Sequence, residues 1–197
     1  MRWITAGAIA KCLSTAARQG PSTKKAILSS ERCIFRNLAL EEYILSLVAR
    51  CHEPLEILLG YRSQQSVVIG RNQNAWQECA VGNLLEDGVH LARRHSGGGA
   101  VYHDDGNACI SFIVPRQRYR PADNMAQLQM FLRELWSDRH SNHSTPAITT
   151  TSRHDLFWNE KKVSGSAMRL LTDAACHHCT LLVASHPAAV MTYLKAR

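Results

Sequence analysis

Apolar residues recur along this chain in two rhythms, one of helices and one of strands. Leu40, Tyr43, Ile44, Leu47 and Val48 fall at helical spacing and predict an amphipathic helix over residues 38–50. Residues 55–62 and 66–70 are short apolar runs that predict strands joined by a polar turn at 63–65. A short helix over 76–86 should end at Gly88, where glycine takes a left-handed cap without a steric penalty. Residues 89–94, 101–103 and 108–114 predict strands separated by the turns SGGGA and DDGN. Met125, Leu128, Leu132 and Leu135 mark a second long helix over 122–139. Residues 139–152 are polar, with Pro146 and a threonine run, and predict a loop with at most an edge strand. A hairpin is expected with one strand at 155–158, a turn at Asn159 and Glu160, and a second strand from 161. Residues 177–184 have the apolar density of a central strand, and 188–194 begin a helix. Helices and strands do not alternate strictly, which predicts an α+β fold, a mixed β-sheet with packed helices, and not a doubly wound sheet.

Composition narrows the class. The 197 residues, 45% of them hydrophobic, are enough for one domain with a real core and too few for two. No stretch approaches about 18 uncharged apolar residues, so no helix is expected to span a membrane. The net charge of +7 would point to nucleic acid if it were spread over the chain. It is not. Residues 1–30 hold Arg2, Lys11, Arg18, Lys24 and Lys25 and no acid, while the remainder carries only +2. That leader is rich in Ala, Ser and Thr and spaces its basic residues, the pattern of a mitochondrial transit peptide or of a disordered tail with a charge bias. The expected division is therefore a leader over 1–30 and a catalytic domain over 31–197. Seven cysteines, mostly inside apolar runs, fit reduced core thiols better than a disulfide framework.

Candidate chemistry concentrates in two segments. In residues 91–115 three consecutive glycines stand between strands, free of Cβ atoms, so that backbone N–H groups can converge on an anion such as phosphate. Arg93 and Arg94 precede them and offer planar forks for phosphate oxygens. A plain hairpin turn is the alternative. No Gly-Lys-Ser/Thr follows, so this is not a P-loop, and no helix follows, so it is not a dinucleotide fingerprint. In residues 155–184, Lys161 and Lys162 stand before a Ser-Gly-Ser turn and are two of only three lysines after the leader. One could clamp an anion; a solvated hairpin tip is the alternative. Cys176, His177, His178 and Cys179 invite a zinc site, but adjacent histidines on a strand point to opposite faces. A polar pocket wall with no metal is the expectation.

Together these segments resemble the lipoate–protein ligase and lipoyltransferase family, related in fold to biotin protein ligases. The matching stretches are VVIGRNQNAWQEC at 67–79, ARRHSGGGAVYHDDGN at 92–107, RHDL at 153–156, KKVSGSA at 161–167 and HHCTLL at 177–182, within residues 35–185. With the leader, the resemblance is to the mitochondrial lipoyltransferase branch. It implies that Lys162 contacts both the phosphate and the activated acyl group as the catalytic residue. It implies a wall for lipoyl-AMP from Arg94, Ser96, Gly97, Gly98, Gly99, Ala100, Val101, Tyr102, His103 and Asn107, with Tyr102 and Arg153 against the adenylate. Arg71, Asn72, Asp155, Ser164, Gly165, His178 and Thr180 complete the expected binding set.

The implied reaction is transfer of a lipoyl group from lipoyl-AMP to a lysine of the lipoyl domains of 2-oxoacid dehydrogenase E2 subunits and of the glycine-cleavage H protein. No tightly bound cofactor is expected; ATP and Mg2+ enter only if the protein also activates lipoate or octanoate, as the ligase members do. A monomer in the mitochondrial matrix is implied, without nucleic acid or membrane. An inactive binder of lipoyl-AMP or of a lipoyl domain is a further alternative. Where relatives often carry Gly-Arg-Asn-Asp or Arg-Phe-Asp, this chain has Ser152, Arg153, His154 and Asp155. Relatives also continue past the HHCTLL strand. The catalytic domain is therefore expected to be incomplete at its C-terminus, with apolar strand surface near 177–184 exposed and the acyl tunnel open.

Overall fold

A computed structural model describes residues 22–138, 144, 146–184 and 187–195. In chain order the elements are β1 (Thr23–Leu28), α1 (Ile34–Arg50), β2 (Leu55–Tyr61), β3 (Ser66–Ile69), α2 (Ala75–Glu78), α3 (Val81–Glu86), β4 (His90–Arg93), β5 (Val101–His103), β6 (Asn107–Pro115), α4 (Pro121–Ser137), β7 (Ile148–Thr150), β8 (Leu156–Trp158), β9 (Lys161–Ser164), β10 (Ser166–Leu170), β11 (Ala174–Leu182) and α5 (Pro187–Tyr193). Among the described residues no helix is long and apolar enough to cross a membrane.

The main sheet has the order β1-β2-β6-β11-β10. Its first pair is parallel and the others antiparallel, which makes it mixed, as expected. Alternation along the strands sorts side chains onto two covered faces. Ile57, Leu59, Cys109, Ile113 and Cys176 meet Ile44, Leu45 and Val48 of α1. Leu58, Ala108, Ile110, Phe112 and Cys179 meet Met125, Leu128 and Leu132 of α4. Because both faces are buried, the central strand β6 reads as an almost unbroken apolar run. Cys176 and Cys179 consequently lie on opposite faces of β11 and do not converge on a common point.

Two smaller sheets stand beside it. One has the order β4-β3-β5, with α3 and α5 against its outer face, and the other the order β7-β8-β9. The β8–β9 connection is a two-residue turn in which Asn159 (φ 44°) and Glu160 (φ 67°) are both left-handed, the geometry that suits the twist of a tight hairpin. Strands β2 and β3, close in sequence, belong to different sheets, so the turn at 63–65 carries the chain from one to the other.

Three expectations change. The stretch expected as a leader over 1–30 contains a strand: Thr23–Leu28 forms β1, paired in parallel with β2 from Thr23 opposite Leu55 to Leu28 opposite Gly60. Such an edge strand needs little inward apolar surface, here Ile27, and the exposed Lys25 is at home on an edge. Residues 1–21, the bulk of the expected leader, lie outside the described residues, as does most of the polar stretch at 139–145. The sequence carries no distinct signal for β10, whose residues are mostly half-buried and show no clean alternation. Finally, most of β11 is covered: it is flanked by β6 and β10, and exposed apolar surface in this stretch is confined to its end, Leu182 (40% exposed) with the following Val183 (39%) and Ala184.

Candidate functional site

A cavity of about 240 Å3 opens where the glycine turn of residues 97–99 faces the β8–β9 hairpin and the β6–β11 pair. Its lining includes Leu38, Tyr61, Val68, Val101 and Cys109 as largely apolar wall, and Arg94, His103, Asp155, Lys162, His178 and Thr180 as polar groups. Gly99, Ala100 and Gly165 contribute backbone.

The glycine turn is built by backbone approach. Gly98 has φ +93°, a conformation side chains rarely adopt, and a Cβ there would stand 2.9 Å from Arg94 Nη2. Gly70, at the end of β3, lies against the turn so closely that a Cβ would overlap the Gly98 carbonyl oxygen. The Arg71 N–H donates to the Ser96 carbonyl at 2.9 Å, tying the two loops together.

The arginines expected to hold phosphate do something else. Arg94, 7% exposed, donates Nε to Ser96 Oγ (3.1 Å) and to the Gly97 carbonyl (3.2 Å), Nη1 to the Val68 carbonyl (3.2 Å), and Nη2 to the carbonyls of Gly97 (2.7 Å) and Gly99 (2.8 Å). Arg93 Nη1 donates to the carbonyls of Gly70, Arg71 and Gln73. Both guanidinium groups are forks for main-chain oxygens, and they hold the turn in shape. Burial lowers the Arg94 pKa, against the opposing charge of Glu41, so its cation still contributes to the cavity's potential.

Among the described residues that line the cavity, the half-exposed cation is Lys162. Its Nζ pairs with Asp155 Oδ2 at 2.8 Å, the lysine side chain half exposed and the aspartate mostly buried. A Cβ on Gly165 would stand 3.7 Å from Lys162 Cε and 3.9 Å from its Nζ, so the Ser-Gly-Ser turn runs directly beneath the ammonium. The Thr180 N–H donates to the Gly165 carbonyl (3.1 Å), joining that turn to β11. Lys161, its neighbour on the strand, is not part of the lining.

A buried polar chain backs the cavity. His178 Nδ1 lies 3.0 Å from Glu41 Oε1, and its Nε2 lies 2.8 Å from Ser96 Oγ, which also accepts from Arg94. Burial pushes the Glu41 carboxyl up, but His178, the hydrogen bonds from His178 and Ser111, and Arg94 together hold it below its usual range. Glu41, Cys176 and His178 offer ligand atoms within 4.8 Å of one another, the set among the described residues closest to a metal centre. Both nitrogens of that histidine already have partners. The one sequence signal for Glu41 is its place on the buried stripe of α1 between Asn37 and Ile44, an odd position for an acid and one that no motif marks.

Several expected residues stand elsewhere. Tyr102 is buried away from the cavity, stacked on Tyr193 of α5 with centroids 5.6 Å apart. Arg71, Asn72 and Arg153 are exposed and outside the lining. Asn107 and Ser164 are buried outside it, with Asn107 Nδ2, Asn107 Oδ1 and Ser164 Oγ lacking hydrogen-bond partners. Val101, His103, Asp155, Gly165, His178 and Thr180 all line the cavity.

Comparison with known proteins points the same way. The mouse protein named "Lipoyl amidotransferase LIPT1, mitochondrial" is 38% identical over 182 residues, covering 90% of this chain and 46% of its own length. The Plasmodium falciparum LipL1 structure, solved with lipoate, superposes with a TM-score of 0.73 at 34% identity, over 88% of this chain and 52% of that one. A structure from an archaeal lipoylation system, described as a bi-partite lipoate protein ligase and its E2 lipoyl domain from Thermoplasma acidophilum, gives 0.73 at 25% identity, over 89% and 68%. This chain spans about half the length of the curated relatives it matches. The model of the lipoyl protein ligase A/B catalytic domain matches residues 33–197, from the cysteine that precedes α1 through the glycine turn, Lys162 and β11. With that match laid over a cavity built from the same segments, the chain belongs to the lipoyl protein ligase A/B catalytic domain family.

Proposed function

We propose that this protein transfers a lipoyl group from lipoyl-AMP to a lysine of the lipoyl domains of 2-oxoacid dehydrogenase E2 subunits and the glycine-cleavage H protein, as a monomer in the mitochondrial matrix. The observation that carries this reading is an apolar cavity with a single half-exposed ammonium, Lys162, at its mouth. An acyl adenylate is a mixed anhydride with one phosphate charge and a long apolar tail, and the cavity offers one complement to each.

In this reading the acceptor ε-amine attacks the acyl carbon, the acyl–phosphate bond breaks, and AMP leaves. Lys162 faces the phosphate and carbonyl oxygens, so charge developing in the transition state meets a fixed cation. Asp155 holds that cation in place through its 2.8 Å ion pair. The amine must arrive deprotonated, so what the site supplies is alignment and proximity rather than acid–base chemistry, and the proton shed as the amide forms passes to solvent. Arg93 and Arg94 act one step back, by fixing the backbone of the turn.

The names of the relatives include both an amidotransferase and ligases, so activation of lipoate with ATP is the competing reading. Incubation of the protein with an acceptor lipoyl domain and either lipoyl-AMP or lipoate, ATP and Mg2+ separates them. The transfer reading expects lipoylation with lipoyl-AMP alone. Product in the ATP arm would make it a ligase, and none in either arm would remove the activity from this chain. Localisation follows the mitochondrial naming of the mouse relative and of its human counterpart; import of the full chain fused to a fluorescent protein tests it.

A further inference from the structure

The cavity has a charged, exposed end and a buried end of different chemistry. Lys162 is half exposed, whereas Tyr61, His103 and Cys109 are each at most 5% exposed. Cys109 of β6 stands in register with Tyr61 of β2 on one side and Thr180 of β11 on the other, and all three line the cavity as one rung across the sheet. Cys109 Sγ lies 3.1 Å from His103 Nδ1. The Tyr61 hydroxyl also bonds to the thiol. A tail entering past Lys162 therefore ends against a thiol, an imidazole and a phenol, and not against hydrocarbon alone.

We propose that Cys109 and His103 form a thiol–imidazole pair that contacts the dithiolane sulfurs of a lipoyl tail and sets the cavity's preference for it over a plain eight-carbon acyl chain, while leaving the ring closed. This rests on the reading that the cavity takes the acyl end of an acyl adenylate. The preference follows from pairing. Polarizable sulfur packs well against a thiol and an aromatic ring and is a weak acceptor for S–H and O–H groups. The contact between Sγ and Nδ1 uses one proton of the pair; a ring sulfur gives the remaining N–H or S–H a weak acceptor that a methylene chain in the same place lacks, a difference on which polar-lined pockets discriminate.

The pair also raises a hazard, because a thiol beside a disulfide ring can exchange with it. In that step Cys109 Sγ would bond to one ring sulfur, the ring S–S bond would break, and the thiol proton would end on the released sulfur. It requires a thiolate. Burial first, then the charge of Arg94 and His178, hold His103 down to about 3, so it does not take the thiol proton. Burial and the Glu41 carboxylate push the Cys109 thiol far above its ordinary value. The cysteine is thereby a contact and not a nucleophile.

The test is calorimetry with non-hydrolysable lipoyl- and octanoyl-adenylate analogues, without reductant, on the native chain and on Cys109→Ser and Cys109→Ala, followed by intact mass measurement. The expected result is native preference for the lipoyl analogue, a three- to tenfold fall in the lipoyl-to-octanoyl affinity ratio in both variants, and no covalent adduct on the native chain. An unchanged ratio in the serine variant, which keeps size and donor, overturns the sulfur contact. A lipoyl adduct on Cys109 overturns the closed ring. If the native chain binds neither analogue, the acyl-adenylate reading itself falls; if it binds both equally, that reading stands and only this one fails.

Discussion

Replacing Arg94 by lysine keeps a cation and removes the fork, and so separates a phosphate ligand from a brace for the glycine turn. Arg94 makes five hydrogen bonds to four acceptors: Ser96 Oγ and the carbonyls of Val68, Gly97 and Gly99. These acceptors lie around a guanidinium that is 7% exposed. A lysine ammonium carries its three donors on one atom and cannot reach acceptors set around a planar fork, so about two of the four lose the donor that arginine supplies. Each buried acceptor left without a donor costs about 1–3 kcal/mol, which places the loss for Arg94→Lys near 3 kcal/mol. With a urea slope of about 2 kcal/mol per molar for a domain of this size, the unfolding midpoint should fall by roughly 1.5 M at unchanged slope. Urea titration followed by tryptophan fluorescence measures this. A variant that unfolds at the native midpoint yet binds a lipoyl-AMP analogue about a hundredfold more weakly would refute the argument, because arginine would then be recognising the ligand and not the turn.

Three further outcomes follow from the same geometry. Gly70→Ala should destabilise the chain by more than about 2 kcal/mol, because its Cβ overlaps the Gly98 carbonyl, whereas Gly97→Ala, with nothing near its Cβ, should stay within about 1 kcal/mol by denaturant titration. Lys162→Ala should weaken binding of a lipoyl-AMP analogue about 10- to 150-fold by calorimetry, and Lys161→Ala, outside the cavity, by no more than about twofold; equal losses would displace Lys162 from its role. Acid should destabilise the fold early. His103 and His177 are held down to about 3, mainly by burial, so the unfolded chain takes up their protons below about pH 6.5 while the folded chain does so only near pH 3. Stability therefore falls with pH through that window, by about 2 kcal/mol per histidine at pH 5 relative to pH 7.5. Equal urea midpoints at the two pH values would contradict the buried neutral state.

What the sequence determined by itself is what local rules decide. The amphipathic stripe of α1, the left-handed Gly88 cap, the Asn159–Glu160 turn and the unbroken apolar run of β6 all follow from spacing and turn chemistry, which act within a few residues. The SGGGA and KKVSGSA motifs likewise marked the two loops that meet at the cavity. Local rules could not say what faces what. Arg94 looks the same in sequence whether its fork meets a phosphate or the carbonyls of Val68, Gly97 and Gly99, and only the approach of β3 to the turn decides for the carbonyls. Tyr102 alternates with cavity-lining Val101 and His103, so the pleat alone sends it to the far side of its sheet, against Tyr193 from 91 residues further on. Thr23–Leu28 has a leader's composition and becomes a strand because β2 leaves an edge to pair with. Glu41, Ser96 and His178 are likewise scattered in sequence; they form one buried chain because α1 lies across the sheet, and long-range packing of that kind has no local signature.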